Sequence, residues 1–183
     1  MPSGLKRYQH SRQTHFVTFS CYHRRPLFTT DESKPVFELA LERVRRSFDL
    51  QVYGYVVMPE HIHLLLSEPK RGILADALKS LKQGVSRRLI GNAEYFWQKR
   101  YYDFNIRDYE QFVEKLRYIH RNPVKRGLCE RPEDWEWSSF RHYATGVEGR
   151  VEIESEWTAR KRERAEGKLC PEVEVPHSSQ RMA

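Results

Sequence analysis

The sequence predicts an α+β fold, and three observations carry that expectation. Residues 51–58 and 61–67 are strand-like runs around a Pro59-Glu60 turn, which reads as a hairpin. A stretch of helical apolar spacing lies on each side of that hairpin. A β-branched and aromatic run precedes the first helix, and a further helix follows the last strand. The order β-α-β-β-α-β is the split βαβ, ferredoxin-like pattern. It gives a sandwich whose antiparallel sheet carries helices on one face. The other face is left free or covered by the added helix.

Taken in order, residues 15–22 (HFVTFSCY) form the first strand. Thr30 or Asp31 caps a helix in which Val36, Phe37, Leu39, Ala40, Val44 and Phe48 recur at helical spacing. QVYGYVVM (51–58) and HIHLLLS (61–67) are the hairpin strands, and residues 69–72 make a loop. The helix over 73–90 aligns Leu74, Leu78, Leu81, Val85 and Leu89, with Lys79, Lys82, Arg87 and Arg88 off that stripe. Residues 95–97 (YFW) are the candidate fourth strand. Asp108 opens the added helix, which is expected to end before Pro123. Residues 133–143 are aromatic enough to pack on the body. Residues 1–146 thus read as one domain and 147–183 as a charged extension. Within the extension, 160–166 suggests a short helix and 170–183 suggests disorder.

A chain of 183 residues suits one domain with its own core. The three cysteines, Cys21, Cys129 and Cys170, stand at no metal-ligand spacing and fit unpaired thiols in a reducing cytoplasm. No apolar run approaches the roughly 18 residues of a membrane span, and the N-terminus lacks a signal-peptide core. The net charge of +7 is concentrated in residues 67–127, which hold 14 basic and seven acidic side chains. Such a surface suits a polyanion, and nucleic acid is the commonest.

Two constellations could carry chemistry, although the residues alone also fit a structural histidine pair and a half-exposed tyrosine that covers its neighbours. In His61-Ile62-His63 the imidazoles share one strand face, a start for a divalent-metal site that still needs a third ligand. On the added helix, Tyr109, Phe112, Val113, Leu116, Ile119 and His120 make one stripe, which assigns His120 a structural role. Tyr118 falls about 180° from Tyr109, and Asn122 projects the same way as Tyr118 one turn on. A phenol with a pKa of about 10 is a weak nucleophile at neutral pH. It can nevertheless attack a phosphodiester and hold the 5′ end covalently when a divalent cation polarises the phosphate. In that design His61, His63 and Asn122 hold Mg²⁺ or Mn²⁺, and Tyr118 attacks.

Four segments in sequence carry a resemblance: YGYVVMPEHIHLLL (53–66), FWQKRYYDFNIRD (96–108), YIHRNPVKRGL (118–128) and WEWSSFRHY (135–143). Over residues 7–146 the chain resembles the REP-associated tyrosine transposases, relatives of the single-tyrosine HUH transposases. The resemblance implies a ferredoxin-like endonuclease that cuts and rejoins single-stranded DNA at hairpin-forming repeats beside a short recognition tetranucleotide. It matches His61 and His63 to the HUH histidines and Tyr118 to the nucleophile. Asn122 stands where many relatives carry a Gln that completes the metal site. It implies a cytoplasmic protein acting on hairpin DNA, as monomer or homodimer.

Backbone phosphates are expected to meet Lys79, Lys82, Arg87 and Arg88, and, near the nucleophile, Arg100, Arg107, Lys125 and Arg126. Splayed bases could stack on the aromatics of residues 95–102. The residues alone leave two alternatives open. One is a non-catalytic single-stranded nucleic-acid-binding module of ferredoxin-like fold, against which the lack of an RNP-type run counts. The other is an HxH metal hydrolase without a tyrosine nucleophile, which would need further His or Asp ligands.

Overall fold

The structure, a computed structural model, describes residues 13–167. Strands β1 (Thr14–Ser20), β2 (Val52–Val57), β3 (His61–Ser67) and β4 (Tyr102–Ile106) form one antiparallel sheet ordered β2-β3-β1-β4. This is the expected ferredoxin-like topology. Helices α1 (Ser33–Phe48) and α2 (Leu74–Leu89) cover one face, while α3 (Tyr109–Lys125), the added helix, lies on the other. The start of α1 follows the expected cap, since the Ser33 N–H donates to Thr30 Oγ1 at 3.2 Å.

Strand alternation divides the core in two. Ile62, Leu64 and Leu66 of β3 join Val17 and Phe19 beneath α1 and α2. Leu65 and Phe16 point the other way, against Ile119 of α3. His61 and His63 share that second face. Gly54 of β2 lets α3 come close, because a Cβ there would stand 2.6 Å from Leu116 Cδ1.

Three expectations are corrected. The fourth strand is not residues 95–97 but Tyr102–Ile106, paired along β1. Trp97 makes a single bridge to Cys21, and Phe96 and Trp97 pack their rings into the core, so the aromatic density signalled burial. The β4 sequence YDFNI carries Asp103 and Asn105 and offers little strand signal of its own. Asp108 does cap α3, its Oδ1 accepting the Gln111 N–H at 2.8 Å. The helix then runs through Pro123 to Lys125. The proline stands in the last turn, where it removes only its own bond, and the Arg126 N–H still reaches Asn122 O at 3.0 Å.

Third, Gly146 is not where the packed body ends. Val151 and Ile153 are buried in the core beneath α1, and the Glu154 N–H donates to Val52 O at 2.8 Å. Just upstream, the Val57 N–H donates to Trp137 O at 2.9 Å. Two segments after α3 therefore cover the outer edge of β2. Two short helices complete the described chain, α4 (Phe140–Thr145) and α5 (Glu156–Ala165). The charged helix expected at 160–166 is α5, begun four residues earlier. The disorder expected for 170–183 falls outside the described residues.

Candidate active site

Strand β3 and helix α3 bring four predicted residues together. His61 and His63 are 3% and 5% exposed, and their Nε2 atoms stand 3.0 Å apart. Asn122, equally buried, places its Nδ2 3.3 Å from His63 Nε2. The Tyr118 ring meets His63 edge to face, with centroids 5.2 Å apart, and is 39% exposed. Phe16 of β1 braces the group from below, with its ring centroid 5.6 Å from His63 and 5.9 Å from Tyr118.

The outward nitrogens of both histidines are occupied. His61 Nδ1 donates to Glu60 Oε1 at 3.0 Å, and His63 Nδ1 shares a 2.7 Å hydrogen bond with Thr18 Oγ1. Such partners fix ring orientation and favour the tautomer whose Nε2 carries a lone pair. Two lone pairs facing each other at this distance call for a cation or a proton between them. Burial holds the His61 imidazole below its ordinary pKa, against the pull of Glu60. Burial, with the charges of His61, Arg24 and Arg126, pushes His63 down to about 3. Both rings are thus neutral at physiological pH, the form that ligates metal.

Asn122 Oδ1 is the buried side-chain oxygen without a partner among the described residues. An orphaned buried acceptor costs roughly 1–3 kcal/mol. A half-turn of the amide would put this oxygen where Nδ2 now lies, facing the histidine nitrogens. Two imidazoles and one amide oxygen fit a divalent cation that keeps open positions for phosphate and water. No group of three His, Cys, Asp or Glu side chains among the described residues offers another site.

The predicted DNA-contacting residues divide. Lys125 comes to the site, its Nζ 5.7 Å from the Tyr118 ring centroid. Arg126 pairs with Glu60 Oε1 at 2.6 Å. Arg100 and Arg107 are exposed beside the two ends of β4. Lys79, Lys82, Arg87 and Arg88 lie on α2, across the sheet from Tyr118. Lys82 is already engaged, donating to Gln98 O at 2.8 Å. His120 is structural as expected, buried with Nε2 2.8 Å from Ser139 Oγ.

Sequence reasoning missed Glu60 and Thr18. Glu60 was legible, since a carboxylate directly before an HxH pair is placed to orient it. Thr18 reaches His63 through the β1–β3 register alone, and no local signal announces it. The matched segments beside this geometry decide the family. Residues 8–122 match the family model described as "Transposase IS200 like".

The chain belongs to the IS200-like transposase family.

Within the family it is 27% identical over 148 residues to the REP-associated tyrosine transposase of Escherichia coli K12, covering 79% of this chain and 87% of that protein. A predicted REP-associated tyrosine transposase of Haemophilus influenzae is 29% identical over 139 residues, covering 69% and 78%. The fold also matches a solved REP-associated tyrosine transposase bound to a REP hairpin. That match has a TM-score of 0.68 and 25% identity over 84% of this chain and 92% of the other. The IS200-like match ends at Asn122, so it spans His61, His63, Tyr118 and Asn122. No helix of the described residues is long and apolar enough to cross a membrane.

Proposed function

We propose that this transposase is a metal-dependent single-stranded DNA endonuclease and strand transferase. It acts at hairpin-forming, REP-like DNA through a covalent 5′-phosphotyrosine on Tyr118. The observation that carries the reading is the 3.0 Å approach of His61 Nε2 to His63 Nε2, with the buried Asn122 amide 3.3 Å from His63 through Nδ2, its oxygen unpartnered, and the half-exposed Tyr118 beside them. The solved relative bound to a REP hairpin supports the substrate class. A DNA substrate of this kind puts the protein in the cytoplasm.

Tyr118 Oη attacks the scissile phosphorus, the bond to the 3′ oxygen breaks, and the upstream strand leaves with a 3′-hydroxyl. The phenolic proton goes to water and the departing oxygen takes one up. The phosphotyrosine ester conserves the energy of the broken bond, so a 3′-hydroxyl can reverse the step and rejoin. His61, His63 and Asn122 would hold Mg²⁺ or Mn²⁺, which when bound polarises the phosphate and offsets its charge. Glu60 keeps His61 aimed, Thr18 keeps His63 aimed, and Phe16 limits the swing of the Tyr118 ring. Lys125 adds positive charge beside the tyrosine.

Denaturing electrophoresis with end-labelled hairpin DNA in Mg²⁺ or Mn²⁺ tests the proposal. Wild type should give a slow protein–DNA band carrying the 5′-phosphate side, with a free 3′-hydroxyl on the other fragment. Tyr118→Phe should give neither, while its hairpin affinity stays within a few-fold, or about 1 kcal/mol. Cleavage by that variant would assign the attack elsewhere. Hairpin binding by wild type without any adduct would favour a binding module.

A further inference from the structure

The structure uses most of the aromatic stretch 95–102 internally. Phe96 and Trp97 pack against Phe28 at 5.5 and 5.6 Å, while Tyr95, itself 52% exposed, leans its ring on Tyr22 at 5.1 Å. Tyr101 packs against the core under α1 and α2. Tyr102 differs. It pairs with Thr18, the residue bonded to His63, and so stands in the same cross-sheet row and on the same face as the candidate site. It remains 45% exposed on an edge strand.

One phenyl ring links this tyrosine to the chemistry. Phe16 stands 5.6 Å from His63, 5.9 Å from Tyr118 and 6.4 Å from Tyr102. Lys115, one turn before Tyr118 on α3, holds its ammonium 5.5 Å from the Phe16 ring and 5.2 Å from Phe104. There it also pairs with the exposed Glu114 at 3.2 Å, a surface partner that a phosphate can replace. An exposed aromatic face and a cation therefore flank Tyr118 on the β4 side. That pairing matches a nucleotide, with a π-face to stack and a phosphate to neutralise.

We infer that Tyr102 is the stacking platform for a nucleobase next to the scissile phosphate. The inference rests on the proposed attack by Tyr118 on single-stranded DNA. Successive nucleotides of a stacked strand rise about 3.4 Å, so a strand with its phosphate at Tyr118 carries a base past Tyr102 within about one to three nucleotides. Stacking tolerates any base, because each has a π-face, so Tyr102 fixes where the strand lies rather than which letter it carries. The ring does this work and the hydroxyl is dispensable.

The test uses a hairpin oligonucleotide with a single-stranded arm in which 2-aminopurine is walked one position at a time. The protein is Tyr118→Phe in EDTA, so binding is read without chemistry and adduct formation by wild type is scored separately. One arm position should show quenched fluorescence. The quench should persist with Tyr102→Phe added and with Tyr95→Ala added. It should vanish with Tyr102→Ala and with Tyr102→Leu, which keeps a bulky apolar side chain on the strand, and affinity should fall roughly tenfold. Retained quench and affinity in both ring-less variants would overturn the inference, as would quench at no position. Because none of these readouts needs cleavage, their failure is distinguishable from failure of the Tyr118 assignment.

Discussion

Glu60 serves two partners at once, accepting from His61 Nδ1 and from Arg126 with the same Oε1. Burial alone would raise its carboxyl, but His61 and Arg126 hold it below the ordinary value, so it stays ionised beside the histidine. Glu60→Gln should therefore lower Mn²⁺ affinity by about tenfold to a hundredfold, as the loss of an orienting partner does. Isothermal titration with Mn²⁺ measures this, and unchanged affinity would remove Glu60 from the site. Asn122→Ala should weaken Mn²⁺ binding by more than about tenfold on the same scale. In the fold the substitution forfeits one hydrogen bond, the 3.3 Å contact of Nδ2 with His63, because Oδ1 has no partner to lose. At this scale the HxH spacing and the Tyr118–Asn122 turn were legible, since both follow from fixed periods of 2 and 3.6 residues. Their meeting depended on where α3 crosses β3, which no local spacing encodes.

At the scale of elements, the outer edge of β2 shows how much of the fold lies late in the chain. Val151 and Ile153 are 2% and 3% exposed, although their surroundings in sequence are charged. Ile153→Ala should cost about 3 kcal/mol by urea unfolding, the usual loss for a buried aliphatic truncation. A cost below about 0.5 kcal/mol, the level of a surface change, would show that the edge cover is marginal. On the α1/α2 face, His15 is buried with Nδ1 2.8 Å from Asp103 and Nε2 3.3 Å from Glu68. Burial alone would lower its pKa, but the two carboxylates raise it above 6.5. A raised folded pKa gives stability that is complete below 6.5 and lost as pH rises through the folded value. His15→Gln should then destabilise by about 2 kcal/mol at pH 6, and by progressively less as the pH is raised to about 9. A penalty independent of pH would mean that the imidazole is neutral in the fold. Helices α1 and α2 were legible from their apolar stripes. Strand β4 was not, because two of its five residues are Asp and Asn, which hold no strand pattern without β1 beside them.

Across the whole molecule, positive charge is distributed on both faces of the sheet, whereas the candidate site opens on one. Binding should favour a hairpin with a single-stranded arm over the matching duplex, and log affinity should fall linearly with log salt. Lys125→Ala should reduce that slope by about 0.7, the effect of one phosphate contact on a single strand. Equal affinity for perfect duplex at matched salt would refute the single-strand reading. The sequence by itself determined the order of strands and helices, the basic middle of the chain, the histidine pair, the tyrosine and the asparagine. The element order, the basic stretch and the shared faces of His61 with His63 and of Tyr118 with Asn122 follow from composition and from the periods of strand and helix, which are local properties. The family resemblance singled out the four residues as a site. Only the tertiary structure decided that α3 takes the second face of the sheet and that Thr18 and Glu60 aim the histidines. It also decided that four of the basic residues stand behind the sheet and that residues beyond Gly146 complete the core. The reason is that register, face and edge cover are set by contacts between segments far apart in the chain, and burial is assigned only when those segments meet.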